Sequence, residues 1–218
     1  MNSIQKEKLV LGGMYVTLFM SIIILPIIVF WVTTNGISEL NWAFLTGTPS
    51  FSTSESRLAT HGILPQIIGS LYLVGGSTLI GTPIGVLSAI YLTEYASQNL
   101  VTKTIRFFTE TLAGIPSIVI GLFAMELLVY RLDLKTSLLS GAVALSLMTL
   151  PFVIRASEEA IKVVPMEYKE ASLAMGASKW QTIVKVVLPA AFPGIITGVL
   201  LGMGRAIGET AVLICLLY

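Results

Sequence analysis

Residues 136–154 have the sequence TSLLSGAVALSLMTLPFVI, a run of 19 residues without a charged side chain between Lys135 and Arg155. An α-helix rises about 1.5 Å per residue, so a helix of this length nearly matches the roughly 30 Å hydrocarbon core of a bilayer. A helix is favoured over a strand because an open sheet edge in lipid would leave backbone groups without hydrogen-bond partners. The run therefore predicts a transmembrane helix.

Further apolar runs lie on both sides of this segment. They cover residues 9–32, 67–91 and 111–130, and a last stretch from about residue 186 to Tyr218. The run 111–130 contains one charge, Glu126. The first run exceeds the roughly 7–15 residues of a signal-peptide core, so we expect a retained membrane helix rather than a cleaved leader. The sequence predicts an all-α integral membrane protein, a helical bundle of about five transmembrane helices.

The composition argues against several classes of function. Charged residues make up 11% of the chain and the mean hydropathy is +0.87, whereas a soluble domain carries about 25% charged residues. The net charge of +1 argues against nucleic acid as a partner and leaves membrane lipid as the expected environment. With one cysteine, Cys215, and one histidine, His61, the chain cannot form an internal disulfide and is a poor candidate for a metal site. No catalytic or metal-binding residue is predicted.

The distribution of lysine and arginine predicts the orientation of the bundle. With the N-terminus in the cytoplasm, the inner side holds Lys6, Lys8, Lys103, Arg106, Arg155, Lys162, Lys169, Lys179 and Lys185. The outer side holds Arg57, Arg131 and Lys135. Cytoplasmic loops carry the excess of positive charge, so the N-terminus is predicted to be cytoplasmic.

The inner loop between the last two runs is predicted to be a helical hairpin. Ser157, followed by two glutamates, predicts a helix start, because a hydroxyl cap and acids suit the positive end of the helix dipole. Pro165 suits the first turn of a second short helix, and Gly176 supplies the left-handed residue that ends it. A further helical stretch, 178–188, is predicted to stop at Pro189. Such a loop either caps the bundle or docks a cytoplasmic partner.

Residues of this loop resemble a known motif. Glu170-Ala171-Ser172 is followed after three residues by Gly176, after nine more by Val186, and after one more by Leu188-Pro189. This spacing resembles the EAA loop of ABC importer permeases, with a serine in place of the second alanine and a valine in place of isoleucine. The resemblance implies a type I ABC permease fold. It also implies an ATPase-coupling loop formed by Glu170, Ala171, Ser172 and Gly176, which fits a groove on the ATPase subunit.

Other segments resemble the phosphate importers within this family. They are 113–119 (AGIPSIV), 158–160 (EEA) ahead of Val164-Pro165, and 204–210 (GRAIGET). The segments 61–63 (HGI), 89–96 (AIYLTEYA) and 176–180 (GASKW) are similar to the PstA-like one of the two paralogous permease subunits.

The resemblance implies a function and a set of partners. A permease of this family moves inorganic phosphate into the cell with energy from a separate ATPase. By this resemblance the chain is not an enzyme and holds no cofactor, because ATP and Mg²⁺ are bound by the ATPase. The implied partners are two copies of the ATPase, a second, PstC-like permease subunit and an external phosphate-binding protein. The implied location is the cell membrane, in which the chain is a multi-pass protein.

The resemblance also predicts a division of the chain. Residues 1–60 are expected to form an N-terminal transmembrane helix and an external loop, and residues 61–218 the permease domain with the EAA loop at about 156–189. The family continues past Gly-Glu-Thr-Ala with an outer loop and a sixth span. Here Val212 stands where proline is common and six residues follow it, so we expect the final span to be lacking.

Two charges lie inside the last apolar run. Arg205 and Glu209 are four residues apart and therefore share one face of a continuous helix. The same face carries the small residues Gly194, Gly198, Gly202 and Ala206. A charged side chain at the centre of a membrane helix costs at least ~2.5 kcal/mol, so it normally faces protein or water. We predict that Arg205, Glu209 and the adjoining Thr210 line the substrate pathway; a structural ion pair is the alternative.

Four alternatives remain open for the function. Another oxyanion, such as phosphonate, sulfate or molybdate, is a possible substrate, since one arginine does not determine ion choice. A secondary transporter or channel would need inverted repeats, and an intramembrane enzyme would need reactive groups at one depth; the sequence has neither pattern. The last alternative is a chain that occupies the ATPase without transporting.

Overall fold

The computed structural model of the chain describes residues 3–48, 62–97 and 99–217. Every regular element in these ranges is helical, which confirms the predicted fold class. The elements are α1 (Ser3–Gly36), α2 (Trp42–Thr46), α3 (Leu64–Ile90), α4 (Leu100–Gly114), α5 (Ser117–Ala124), α6 (Leu138–Lys162), α7 (Met166–Ala174), α8 (Lys179–Thr182), α9 (Leu188–Ile207) and α10 (Ala211–Leu217). Three π-helical turns, Tyr91–Tyr95, Met125–Arg131 and Ile183–Val187, continue α3, α5 and α8. His61 lies outside the described residues.

The N-terminal unit, Met1–Ile67, is built around α1. The segment Val10–Gly36 has a mean hydropathy of 2.5, and its large hydrophobic side chains are exposed on all sides of the helix. A helix that is apolar all round needs lipid or another chain around it. The predicted first span, 9–32, is confirmed as a helix.

Four helical segments are long and apolar enough to cross a membrane. They are Val10–Gly36, Leu64–Tyr95, Leu138–Lys162 and Lys179–Ile207. They cover nearly all of the predicted first and fourth runs, the whole of the second and the beginning of the fifth. A fifth span is present if the bent pair α4 and α5 counts as one, so the predicted number of about five agrees with the structure.

The third predicted span, 111–130, is wrong as a single straight helix. The chain bends by 104° between Leu100–Gly114 and Ser117–Arg131. Pro116 causes this break because it lacks an N–H, and Ile115 before it adopts an extended conformation with φ −69° and ψ 135°. The charges of Arg106 and Glu110 consequently lie on the separate helix α4 rather than at the foot of a span.

Ser157 does not begin a helix, so this prediction is wrong. The helix α6 starts at Leu138, with Ser137 as its cap, and continues to Lys162. Ser157 and Glu158 are buried near its C-terminal end, where packing against neighbouring helices outweighs the local preference of serine for a cap. The α7 part of the hairpin agrees with the prediction: Pro165 directly precedes α7, and Gly176 has φ +83° just beyond its end.

Pro189 does not stop a helix either. Ser178 caps α8 in a capping box with Gln181, and the chain then stays helical from Lys179 to Ile207. Pro189 lies in the first turn of α9, directly after the π-helical turn Ile183–Val187. A π turn already interrupts the regular hydrogen-bond ladder, so a missing N–H is tolerated there.

The last predicted run is not one helix to Tyr218. The helix α9 ends at Ile207, and the separate α10 begins at Ala211. Val212 and Leu216 of α10 are fully buried in a core that also contains Ile120 and Leu145. Burial of these side chains stabilises the turn between the two helices, because each buried aliphatic residue contributes about 1.5–3 kcal/mol.

Glycines bring α9 close to α6. A Cβ atom added at Gly194 would lie 2.7 Å from the Cβ of Ala160, and one added at Gly198 would overlap the side chain of Ala156. On α3, a Cβ added at Gly85 would lie 2.8 Å from Val153 of the same α6. Small residues allow such close approach between membrane helices. The predicted small-residue face of the last span therefore packs on α6, and α3 contacts α6 at Val153.

Candidate functional site

The predicted coupling loop is an exposed helix turned back on its own chain. Glu170 and Ala171 are exposed on α7, whereas Ser172 is half-buried. The Ser172 hydroxyl lies 2.9 Å from the Oγ1 atom of the buried Thr182 on α8. Gly176 makes the reversal possible, since its φ of +83° is in the left-handed region that side chains disfavour.

The outer surface of this loop is apolar and exposed. The large hydrophobic side chains on it are Met166, Tyr168, Leu173, Met175 and Trp180, and Met175 is 89% exposed. Exposed apolar side chains in such number are available for a protein or membrane contact. Glu167 and Glu170 add negative charge among these side chains. The arrangement suits docking of a protein with apolar and basic groups.

The inner surface of the loop is fixed to the end of α3 by lysines. The Lys169 Nζ atom lies 2.5 Å from the Glu94 Oε1 atom, and both side chains are largely buried. Lys179 donates a hydrogen bond to the backbone carbonyl of Glu94 and lies over the Tyr95 ring, 4.7 Å from its centroid. These contacts were not predictable from the sequence, since residues 75 or more apart in the chain give no local signal.

A second buried ion pair joins α4 to α6. The Arg106 Nη1 atom lies 3.0 Å from the Glu158 Oε2 atom, and Glu158 is 2% exposed. Arg106 also donates to the carbonyl of Leu92, and Lys162 approaches the same carboxylate at 3.7 Å. Glu158 lies four residues after the buried Ile154 and three before the buried Ile161, so it shares the apolar face of α6. This spacing in the sequence could have predicted that Glu158 is buried.

A cavity of about 410 Å³ lies between α4, α6 and α9. Its wall is mainly apolar, and its polar lining includes Arg106, Glu158, Arg155 and Glu110. The Arg155 Nη1 atom lies 2.7 Å from the Glu110 Oε1 atom in an ion pair. Arg155 and Glu110 are more than half exposed, so their pair contributes at most about 1 kcal/mol. Phe152 forms part of the same wall.

Arg205 stacks on the wall of this cavity. The centre of its guanidinium lies 4.5 Å from the centroid of the Phe152 ring, which is a cation–π contact. Among the described residues, the ion pairs do not include one between Arg205 and Glu209. The reason is that α9 ends at Ile207, so the predicted i, i+4 geometry does not extend to Glu209.

Glu209 and Thr210 lie in the turn between α9 and α10. Glu209 is half-buried and Thr210 is exposed, and the Thr210 carbonyl accepts the first backbone hydrogen bond of α10 from Ile214. Of the three predicted pathway residues, Arg205 thus lies in the last turn of α9, whereas Glu209 and Thr210 lie in the turn that follows it. Non-helical backbone at membrane depth is tolerated where it is buried in protein or lines a water-filled space.

Comparisons with known proteins give consistent results. Residues 81–217 match the family model of binding-protein-dependent transport system inner membrane components. The phosphate transport system permease protein PstA of Haemophilus influenzae is 39% identical over 95% of this chain and 72% of its own length. The probable ABC transporter permease protein YqgI of Bacillus subtilis is 40% identical over 84% of this chain and 61% of its own length.

A third relative and a solved structure extend the comparison. PstA 1 of Mycobacterium tuberculosis is 39% identical over 74% of this chain and 56% of its own length. The chain therefore spans between 56% and 72% of these three relatives. An inward-facing structure of the MetNI methionine ABC transporter superposes with a TM-score of 0.60 at 24% identity, over 67% of this chain and 70% of that one. This likeness establishes the fold.

Proposed function

Because the chain belongs to the family of binding-protein-dependent transport system inner membrane components, we propose that it is the permease subunit of an ABC importer for inorganic phosphate. It is a multi-pass membrane protein of all-helical fold. Phosphate is favoured over another oxyanion because relatives such as PstA of Haemophilus influenzae are phosphate transport permeases. We also propose that the N-terminus lies in the cytoplasm, which the distribution of lysine and arginine favours.

The single observation that carries the proposal is the exposed coupling loop. A nine-residue helix, α7, presents Tyr168, Glu170 and Leu173 outward, and it is held to the bundle through Lys169 and Ser172. A channel or secondary transporter has no need of such a helix, whereas an importer driven by a separate ATPase does. In this proposal the groove of an ATPase subunit receives α7, and ATP and Mg²⁺ are bound there rather than by this chain.

The complete transporter in this proposal contains five chains. Two copies of the ATPase lie on the cytoplasmic side, and a second, PstC-like permease lies beside this chain in the membrane. An external protein delivers phosphate. The uniformly exposed α1 and the apolar outer side of α9, with Leu200 and Ile207 exposed, are available to lipid or to the second permease.

A continuous helix supports a mechanical route from the ATPase to the membrane interior in this proposal. The chain is helical without interruption from Lys179 to Ile207, so movement of α8 is passed along to Arg205. Arg205 lies 26 residues beyond Lys179, which is about 39 Å of helix. Closure of the ATPase pair on ATP would therefore tilt α9 and change which side of the membrane the Arg205 region faces.

We propose that Arg205 provides a positive charge that the anion contacts as it crosses the membrane. Its guanidinium lies on the Phe152 ring, and within the part of the chain that the structure describes it forms no ion pair with Glu209, which supports contact of its hydrogen-bond donors with an oxyanion. The neighbouring Glu209 keeps the net charge of the region near zero, which lets the anion leave, because a permeation site must bind weakly enough to release. Thr210 contributes a hydroxyl at the same break in the helix.

Transport assays test the proposal. The chain, its ATPase, the second permease and the binding protein are reconstituted in vesicles, and uptake of labelled phosphate is measured with and without ATP and with sulfate as competitor. We expect uptake that requires ATP and is unaffected by sulfate. Uptake without ATP would refute the importer class, and equal competition by sulfate would refute phosphate as the substrate. Arg205→Ala should abolish uptake while leaving the complex assembled.

A further inference from the structure

The π-helical turn Tyr91–Tyr95 at the end of α3 is held by cations from three other helices. Arg106 of α4 donates to the Leu92 carbonyl at 3.1 Å. Lys169 of α7 forms an ion pair with the Glu94 carboxylate at 2.5 Å, and Lys179 of α8 donates to the Glu94 carbonyl. The C-terminal end of a helix carries partial negative charge, so cations placed there are stabilised.

The ion pair between Lys169 and Glu94 differs from the surface pairs of the chain. Its side chains are 15% and 11% exposed, whereas those of Arg131 and Glu126 are 73% and 59% exposed. Water screens the exposed pair and leaves it weak, but a largely desolvated pair with a short contact holds one geometry. The contact between α7 and α3 is therefore specific and stiff.

The same helix α7 carries the outward surface of the coupling loop and this inward lysine. Lys169 lies between Tyr168 and Glu170, which are both exposed. The chain leaves α7 through Pro165 at one end and the left-handed Gly176 at the other, and both are points where a helix can pivot. Ser172 holds α7 to α8 through Thr182, and α7 also packs on the π turn Ile183–Val187, whereas Lys169 adds an ion pair to the end of α3.

We propose that Glu94, Tyr95, Lys169 and Lys179 form a clasp that makes α3 move with the coupling loop. Glu94 and Lys169 are positioning residues: they contact no substrate, but they transmit a tilt of α7 to a second membrane helix besides α9. Close contacts of Gly85 and Gly198 already join α3 and α9 to α6. With the clasp in place, α3, α6 and α9 form one rigid body with α7, the helix proposed to face the ATPase. This inference rests on the proposed function as an ATP-driven importer.

The transport-to-hydrolysis ratio tests the clasp. Glu94→Gln, Lys169→Met and the double variant are reconstituted with the three partner subunits, and phosphate imported per ATP hydrolysed is measured. We expect each single variant to lower this ratio at least about fivefold, the low end of measured coupling between sites. The double variant should be no worse than the poorer single variant, because both changes remove one shared contact. Lys169→Arg, which keeps the ion pair, should preserve the ratio.

A matched control accompanies these variants, and two results would overturn the proposal. Glu126→Gln removes the same type of charge from the exposed pair with Arg131 and should leave the ratio unchanged. An unchanged ratio in both single variants would overturn the proposal. Loss of the ATPase from the purified Glu94→Gln complex would also overturn it, because the residue would then serve assembly rather than transmission.

A distance measurement tests the clasp independently of the transported ion. Spin labels are attached at Tyr91→Cys and Ala174→Cys, two exposed positions on the π turn and on α7, in a Cys215→Ser background. The label distance should be the same with and without ATP, and its distribution should broaden in Glu94→Gln. A fixed distance without phosphate uptake would refute the proposed substrate and support the clasp. A distance that changes on ATP binding, with normal uptake, would refute the clasp alone.

Discussion

Removing Arg106 should destabilise the bundle more than any change to an exposed ion pair. In Arg106→Gln, the Glu158 carboxylate stays 2% exposed and loses its closest cation. An unpaired buried charge costs about 3–5 kcal/mol. Lys162, at 3.7 Å and 40% exposed, offsets part of this cost, so we expect a loss of about 2–3 kcal/mol. In the opposite change, Glu158→Gln, Arg106 is a quarter exposed and keeps its bond to Leu92, so the loss is about 1–2 kcal/mol.

Thermal unfolding in detergent measures this difference. For a chain of this size each kcal/mol corresponds to about 2–4 °C, so Arg106→Gln should lower Tm by roughly 4–12 °C. The control Arg155→Gln breaks a pair that is more than half exposed and should lower Tm by less than about 4 °C. The double variant Arg106→Met, Glu158→Leu should be more stable than Arg106→Gln, since no buried charge remains. Equal losses in Arg106→Gln and Arg155→Gln would refute the reasoning from burial.

Three further predictions have distinct outcomes. Gly198→Val should destabilise the chain by about 1–3 kcal/mol in the same unfolding assay, because its side chain would overlap Ala156, whereas a valine at the unobstructed Gly204 of the same helix should cost less. Arg205→Ala should remove phosphate uptake in reconstituted vesicles and Glu209→Gln should reduce it less; full uptake by Arg205→Ala would contradict the pathway assignment. Gly176→Val should weaken ATPase co-purification, because φ +83° costs a β-branched residue about 1–3 kcal/mol.

The long helices were predictable because they follow from composition alone. A run such as 136–154 has no other stable arrangement in lipid than a helix. Gly176 and Ser178 were also predictable, since a left-handed helix end and a capping box depend on residues within four positions. These features require no knowledge of what packs against the segment.

The prolines and the buried charges were not predictable in this way. Pro116 breaks a helix and Pro189 does not, because the second follows a π turn that only the folded chain reveals. Glu158 was assigned to a helix start from its neighbours, but its position is determined by Arg106, 52 residues earlier. Arg205 and Glu209 were predicted to share one face of a continuous helix, but that helix ends at Ile207, before Glu209.

The π turn Ile183–Val187 is a place where the loss of one residue would leave the helix faces on either side aligned. A π turn contains one residue more than an α turn, so deleting one residue there would convert it to regular helix and keep the faces on either side in phase. A deletion farther along, for example of Leu200, would instead rotate everything beyond it by about 100° and turn Gly202 away from α6.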